Sequence, residues 1–203
     1  MMLLRPANEE DAASLVEIYR PYVEVETASL EYDTPSIEEF SQRIRSISAD
    51  FPYIVCEENG FPVGYAYAHR YKERFGYRFC AELTVYVKKD NSGRGIGRML
   101  YSALTELLEM MGYLNLYAVV TDPNPGSTAL HRSFGFTETG REHIAGVKFG
   151  KWHDVMLFEK LIGIHEDLTN ERVCPYRITD IGEKYTAVLD KYSSVGSDLN
   201  GRK

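Results

Sequence analysis

The sequence predicts an α/β fold of the mixed, α+β kind, with one central sheet flanked by helices. Three observations carry that prediction. Helix-period and strand-like segments alternate along the chain. An Asn59-Gly60 pair between two strand-like runs marks an antiparallel hairpin, and Val85-Tyr86-Val87 leads through a glycine-rich turn into a long amphipathic helix. With 203 residues, 44% of them hydrophobic, the chain can fill a core for one domain and an appendage.

Leu3 to Arg5 reads as a short first strand. Asn8 then caps a helix that carries Glu9, Glu10 and Asp11 in its first turn and runs to about Val25. Ser36-Ile37-Glu38-Glu39 is a capping-box pattern opening a second helix with Ile37, Phe40, Ile44 and Ile47 inward. Tyr53 to Glu58 and Pro62 to Tyr71 form the hairpin about Asn59-Gly60, and Phe79 to Val87 is the next strand. The helix from Arg98 to Met111 follows the glycine turn. Ile96, Met99, Leu100, Ala103, Leu104, Leu107, Leu108 and Met111 recur on one face of that segment. Leu114 to Val120 is a buried strand, Ser127 to Phe134 a short helix, and Thr137 to Val147 with Trp152 to Leu161 a closing antiparallel pair. The resulting order is β-α-α-β-β-β-α-β-α-β-β. Residues 1–162 are the expected domain and 163–203 an extension, with a short docking helix from about Ile181 to Tyr192 and a last ten residues expected to fray.

The net charge of −7 argues against a general nucleic-acid partner. No apolar run approaches the roughly 20 residues of a membrane span, and Met1 to Arg5-Pro6 lacks a signal-peptide core, so a soluble cytoplasmic protein is expected. Cys56, Cys80 and Cys174 are scattered, without a Cys-x-x-Cys pair, and are expected as reduced core thiols. The histidines form no ligand spacing, and no metal is expected.

Ser92-Gly93-Arg94-Gly95-Ile96-Gly97 carries the clearest chemistry. A helix start offers amide groups without intrahelical partners and a positive dipole end, and glycines at 93, 95 and 97 allow close approach and positive φ, so a diphosphate can be held there. The spacing is neither that of a dinucleotide fingerprint nor of a P-loop. It resembles the acetyl-CoA motif of the GNAT superfamily of N-acetyltransferases, with Ser92 where Gln or Arg is usual. The order of elements is that of the same superfamily, from about Leu3 to Ile162. Within it the chain is most similar to phosphinothricin and methionine-sulfoximine acetyltransferases. That likeness is carried by Lys72 to Tyr77, Ala81 to Val87, Asp122-Pro123-Asn124, Leu130 to Phe136 and Gly150 to Val155.

The resemblance implies direct acetyl transfer from acetyl-CoA to a small primary amine. Coenzyme contacts fall to Val85, Tyr86, Val87, Gly93, Arg94, Gly95, Ile96, Gly97, Arg98, Asn124 and Ser127. Asn124 matches the residue that holds the pantetheine amides, and is equally suited to cap a turn or helix. A backbone N–H near Val85 is placed to stabilise the thioester oxygen as charge develops. Glu82 matches the family's general base, needed because an ammonium must lose a proton before it attacks; a solvated strand-end carboxylate is the alternative. His131 stands where many members have a Tyr that protonates the leaving thiolate, and is a general acid, a partner of Glu82, or a satisfied helix histidine. Lys72, Arg74 and Tyr77 match residues that read the substrate anion, and are otherwise an ordinary charged loop. Tyr101 stays unassigned, and Trp152-His153-Asp154 reads as pocket wall or dimer contact.

The expected activity is N-acetylation of a small amino-acid-like amine. Acetylation of a protein or peptide, and non-catalytic acyl-CoA binding, are the competing readings. A homodimer is expected from the resemblance.

Overall fold

Both helix-cap patterns are realised. Asn8 and Asp11 close a capping box over a 3-10 turn at Glu9–Asp11, which feeds helix α1, Ala12–Glu24. Ser36 and Glu39 close the second over α2, Ile37–Ser48. Asn59 and Gly60 take φ of 54° and 82°, the left-handed pair that a tight hairpin turn requires, and join β2, Tyr53–Glu58, to β3, Phe61–Arg70.

A computed structural model describes residues 2–166 and 173–199, with side chains as far as Ser193. Strands β1 (Met2–Pro6), β4 (Cys80–Val87), β5 (Asn115–Thr121), β6 (Thr137–Lys148) and β7 (Lys151–Leu161) complete one mixed seven-stranded sheet in the order β1-β2-β3-β4-β5-β7-β6. Helices α3 (Ile96–Met110) and α4 (Pro125–Ser133) follow β4 and β5. The order of elements is as read from the sequence, with α5, Glu183–Leu199, added after a 3-10 turn at Ile178–Ile181.

The sheet is covered on both faces. Leu15, Ile18 and Tyr19 of α1 and Phe40 and Ile44 of α2 pack on Tyr53, Val55 and Tyr65. On the other face Leu100, Leu104 and Leu107 of α3 pack on Ile54, Ala66, Ala81 and Leu116. Every residue expected on the inward stripe of α3 is buried, together with Tyr101.

Four expectations need correction. Ile37, expected inward on α2, is 56% exposed. Gly97 lies inside α3 without a positive φ; Gly93 and Gly95, at 76° and 81°, supply the left-handed backbone. Cys174 is exposed, whereas Cys56 is buried. The carboxy-terminal helix passes the expected end at Tyr192: residues 194–199, placed in a fraying tail, are helical, and 200–203 lie outside the described residues.

Candidate active site

The site begins where the sheet parts. β4 and β5 run parallel and pair only through Cys80, Ala81 and Glu82 with Asn115, Leu116 and Tyr117. Beyond that point β4 stays bonded to β3 as far as Val87 and β5 to β7 as far as Thr121, so a wedge opens between them. A cavity of about 730 Å³ fills the wedge. Its walls are Leu83 to Val87, the 91–93 turn, the start of α3, Val119 and Val120 of β5, and α4.

The start of α3 faces this cavity with Gly95 as N-cap and no capping side chain. Its first amides are therefore available to an anion. Arg98 and Lys89 add positive charge to the wall. Val85, Tyr86, Val87, Gly93, Gly95, Ile96, Gly97, Arg98, Asn124 and Ser127 all line the cavity, as expected. Arg94 does not: its guanidinium is engaged by Glu58 at 2.7 and 2.5 Å, on the hairpin side of the turn. Asn124 caps α4 by accepting from Ser127 N at 3.1 Å, which occupies its Oδ1 and leaves its amide nitrogen uncommitted by that bond. Tyr22, Glu26 and Ala28, at the end of α1 and just past it, complete the wall. No local signal in the sequence marked them. The elongated wedge, the amide cluster and the flanking cations suit a long thioester ending in phosphates.

Alternation along β4 sends Leu83, Val85 and Val87 toward α3, and Glu82, Thr84 and Tyr86 toward the α1 and α2 face. Glu82 is half-buried, and burial raises its carboxyl above the ordinary range while His69 opposes the shift. His131, on α4, is 3% exposed. Its Nδ1 lies 2.9 Å from Tyr101 Oη and its Nε2 3.0 Å from Ser127 Oγ. Burial lowers its pKa to about 4, so the ring is neutral near pH 7. That state does not supply an imidazolium proton, and among the described residues no hydrogen bond joins His131 to Glu82. His131 lines the cavity beside Ser127, and Tyr101 stands behind it. The sequence left Tyr101 unassigned.

Lys72 and Tyr77 are brought together, with Lys72 Nζ 4.8 Å from the centroids of both Tyr71 and Tyr77. Tyr71 stacks on Tyr117 at 3.8 Å, and Tyr117 is the register partner of Glu82. Two stacked rings, Tyr71 and Tyr117, thus separate Lys72 and Tyr77 from Glu82. Arg74 is exposed at the start of the turn Phe75–Tyr77, and neither it nor Lys72, Tyr77 or Glu82 is among the residues lining the cavity. Asp154 holds the bulge of β6 by accepting from Ile144 N at 2.9 Å and lying 3.0 Å from His143 Nδ1. Trp152 is exposed.

Residues 4–157 match the acetyltransferase (GNAT) domain family. The chain is 33% identical over 168 residues to the L-methionine sulfoximine/L-methionine sulfone acetyltransferase of Salmonella typhimurium, covering 81% of this chain and 96% of that protein. The structure of a GNAT superfamily phosphinothricin acetyltransferase from Sinorhizobium meliloti in complex with AcCoA superposes with a TM-score of 0.77 at 35% identity, over 80% of this chain and 89% of that one. A ribosomal-protein-alanine N-acetyltransferase from Brucella melitensis gives 0.76 at 36% identity, over 79% and 99%.

Proposed function

Because the chain belongs to the acetyltransferase (GNAT) family and is an N-acetyltransferase with acetyl-CoA as cosubstrate, we propose that it acetylates the amino group of a small amino-acid-like acceptor of the phosphinothricin, methionine sulfoximine or methionine sulfone type. One observation carries this reading. Glu82 is half-buried at the apex of the wedge, where β4 and β5 last pair, and the stacked rings of Tyr71 and Tyr117 lie between it and Lys72 and Tyr77.

Glu82 is the base that takes the ammonium proton, and its raised pKa suits that task near neutrality. Lys72 and Tyr77 receive the acceptor's anionic group, with Arg74 in reserve at the rim. The freed amine attacks the thioester carbonyl, whose oxygen is met by a backbone N–H of the unpaired part of β4. Ser127, hydrogen-bonded to His131, donates toward the departing sulfur; His131 acts through Ser127 as a positioning residue.

Residues 1–162 are the proposed catalytic domain and 163–203 its extension. A cytoplasmic homodimer is the proposed state. Exposed Ile144, Val147, Phe149 and Trp152 on the outer hairpin of β6 and β7 support the dimer.

The 36% identity to the ribosomal-protein-alanine enzyme favours a second reading, acetylation of a peptide amino terminus. The deciding assay is thiol release from acetyl-CoA with phosphinothricin, methionine sulfoximine, methionine sulfone, common amino acids, polyamines and an alanine-ended basic peptide. Turnover of the first three is expected. Glu82→Gln lowers kcat on the order of a hundredfold, as loss of a general base does, and Lys72→Ala raises KM for the acceptor. Turnover of the peptide alone overturns the small-acceptor reading, and near-normal turnover by Glu82→Gln overturns the base assignment.

A further inference from the structure

The charged group nearest Glu82 comes from the neighbouring strand. β3 and β4 run antiparallel with His69 directly opposite Glu82, so both side chains leave the sheet on one face. His69 Nε2 stands 3.8 Å from Glu82 Oε1. That is within ion-pair reach, and a small side-chain rotation closes it to a hydrogen bond. The other ring nitrogen is already fixed: Nδ1 lies 3.1 Å from the Arg70 carbonyl oxygen. A carbonyl only accepts, so Nδ1 carries the hydrogen, and the neutral ring turns its Nε2 lone pair toward the carboxyl group. The pair is graded toward water, with the His69 side chain 37% exposed and that of Glu82 21%.

We propose that His69 is the proton outlet of Glu82, receiving at Nε2 the proton that the carboxylate takes from the acceptor and passing it to solvent. The inference rests on Glu82 being the base. The proton accounting closes without another reagent. The acceptor ammonium gives one proton to the Glu82 carboxylate, its freed nitrogen pair forms the bond to the acetyl carbon, the carbon–sulfur bond breaks with its pair on sulfur, and a second proton, lost from the new amide nitrogen, reaches that sulfur through the Ser127 hydroxyl. Glu82 then gives that proton to His69 Nε2. The resulting imidazolium releases a proton to water, and both side chains return to their starting state.

The surroundings single out His69. On the same sheet face stand Tyr67, whose ring is 5.9 Å from that of His69, then Cys80 and Tyr86 on β4 and Tyr117 on β5. Arg43 of α2 acts on Tyr67, and Lys72 acts on Cys80. From the opposite face Tyr101 senses the Glu82 charge, and Arg70 acts on Tyr113. Among the described residues only His69 counters the desolvation of Glu82. His69 also lies outside every segment that carries the family resemblance.

The test has two arms. In the first, carboxyl-labelled glutamate is titrated by NMR without any acceptor, and Glu82→Gln identifies the signal. His69→Gln is expected to move the Glu82 midpoint upward by about half a unit or more, because the opposing cation is gone. In the second, pH profiles are measured with the panel amine turned over fastest. His69→Gln is expected to lower kcat on the order of tenfold, at the low end of general acid–base effects. Added free imidazole restores turnover. A merely structural histidine gives no such rescue. An unmoved Glu82 midpoint, or wild-type turnover in His69→Gln beside an inactive Glu82→Gln, overturns the proposal alone. Normal turnover in Glu82→Gln instead removes the base reading on which it stands.

Discussion

His131 is enclosed by Tyr101, Phe136 and Phe158, and that enclosure decides its charge. Its pKa falls from the ordinary 6.5 to about 4 through desolvation. Between those values the unfolded chain takes up a proton that the folded chain refuses. Stability therefore falls as pH drops through that window, and this group adds nothing further below it. The size is on the order of 3 kcal/mol. Glu82, raised by burial, works in the opposite sense across the carboxylate range. His131→Gln should shrink the difference in unfolding free energy between pH 7 and pH 4.5, measured by denaturant titration, and an undiminished difference would remove His131 as its source. At this scale the sequence was partly legible. Glu82, Lys72 and Tyr77 stand in motifs, and the structure sets Lys72 against Tyr77. His69 and Tyr101 do not, because their partners lie across a strand register and a helix-to-helix contact that no local spacing encodes.

Among the elements, the segment between α1 and α2 depends on a residue far along the chain. Lys148, at the end of β6, is 1% exposed and reaches back to the Ser29 carbonyl at 2.5 Å. Beside it Tyr32 Oη donates to the Val147 carbonyl at 2.7 Å. Leu30 fills the space next to Gly146, where a Cβ would come within 2.6 Å of it. These contacts hold the stretch that brings Glu26 and Ala28 to the cavity wall. Lys148→Met keeps the buried stem and removes the donor, leaving the Ser29 carbonyl short of its partner at a cost of about 1–3 kcal/mol. Faster proteolysis between residues 25 and 36 and a raised KM for acetyl-CoA are expected. If both stay at wild-type values, Lys148 does not hold the segment. The helices and strands themselves could be read from periodicity and caps. This latch could not, since a lysine near a turn reads as solvated until the fold surrounds it.

Over the whole molecule, the residues after the matched family region add to the core. Val188 and Leu189 of α5 are buried with α3, Leu4 N donates to Ser193 Oγ at 2.7 Å, and Tyr185 Oη donates to the Tyr53 carbonyl at 3.0 Å. Leu189→Ala should cost about 2–5 kcal/mol, as for a fully buried leucine, and should shift one cooperative unfolding transition; a separate early transition would mean that α5 melts on its own. The sequence placed a helix here but not its seat, because the stripe of Tyr185, Val188, Leu189 and Tyr192 does not say which surface receives it. A splayed strand near Val85 was expected, but the residue at which β4 parts from β5 could not be read, since both strands read as continuous and register is a property of the pair. That three-residue ladder makes the sheet two panels meeting at a short seam, β1 to β4 on one side and β5, β7 and β6 on the other. A cosubstrate lying in the wedge touches both panels and acts as a splint across the seam. Each turnover, by removing it, returns the protein to its loosest form, so the supply of cosubstrate sets the rigidity of the fold as well as the rate of the reaction.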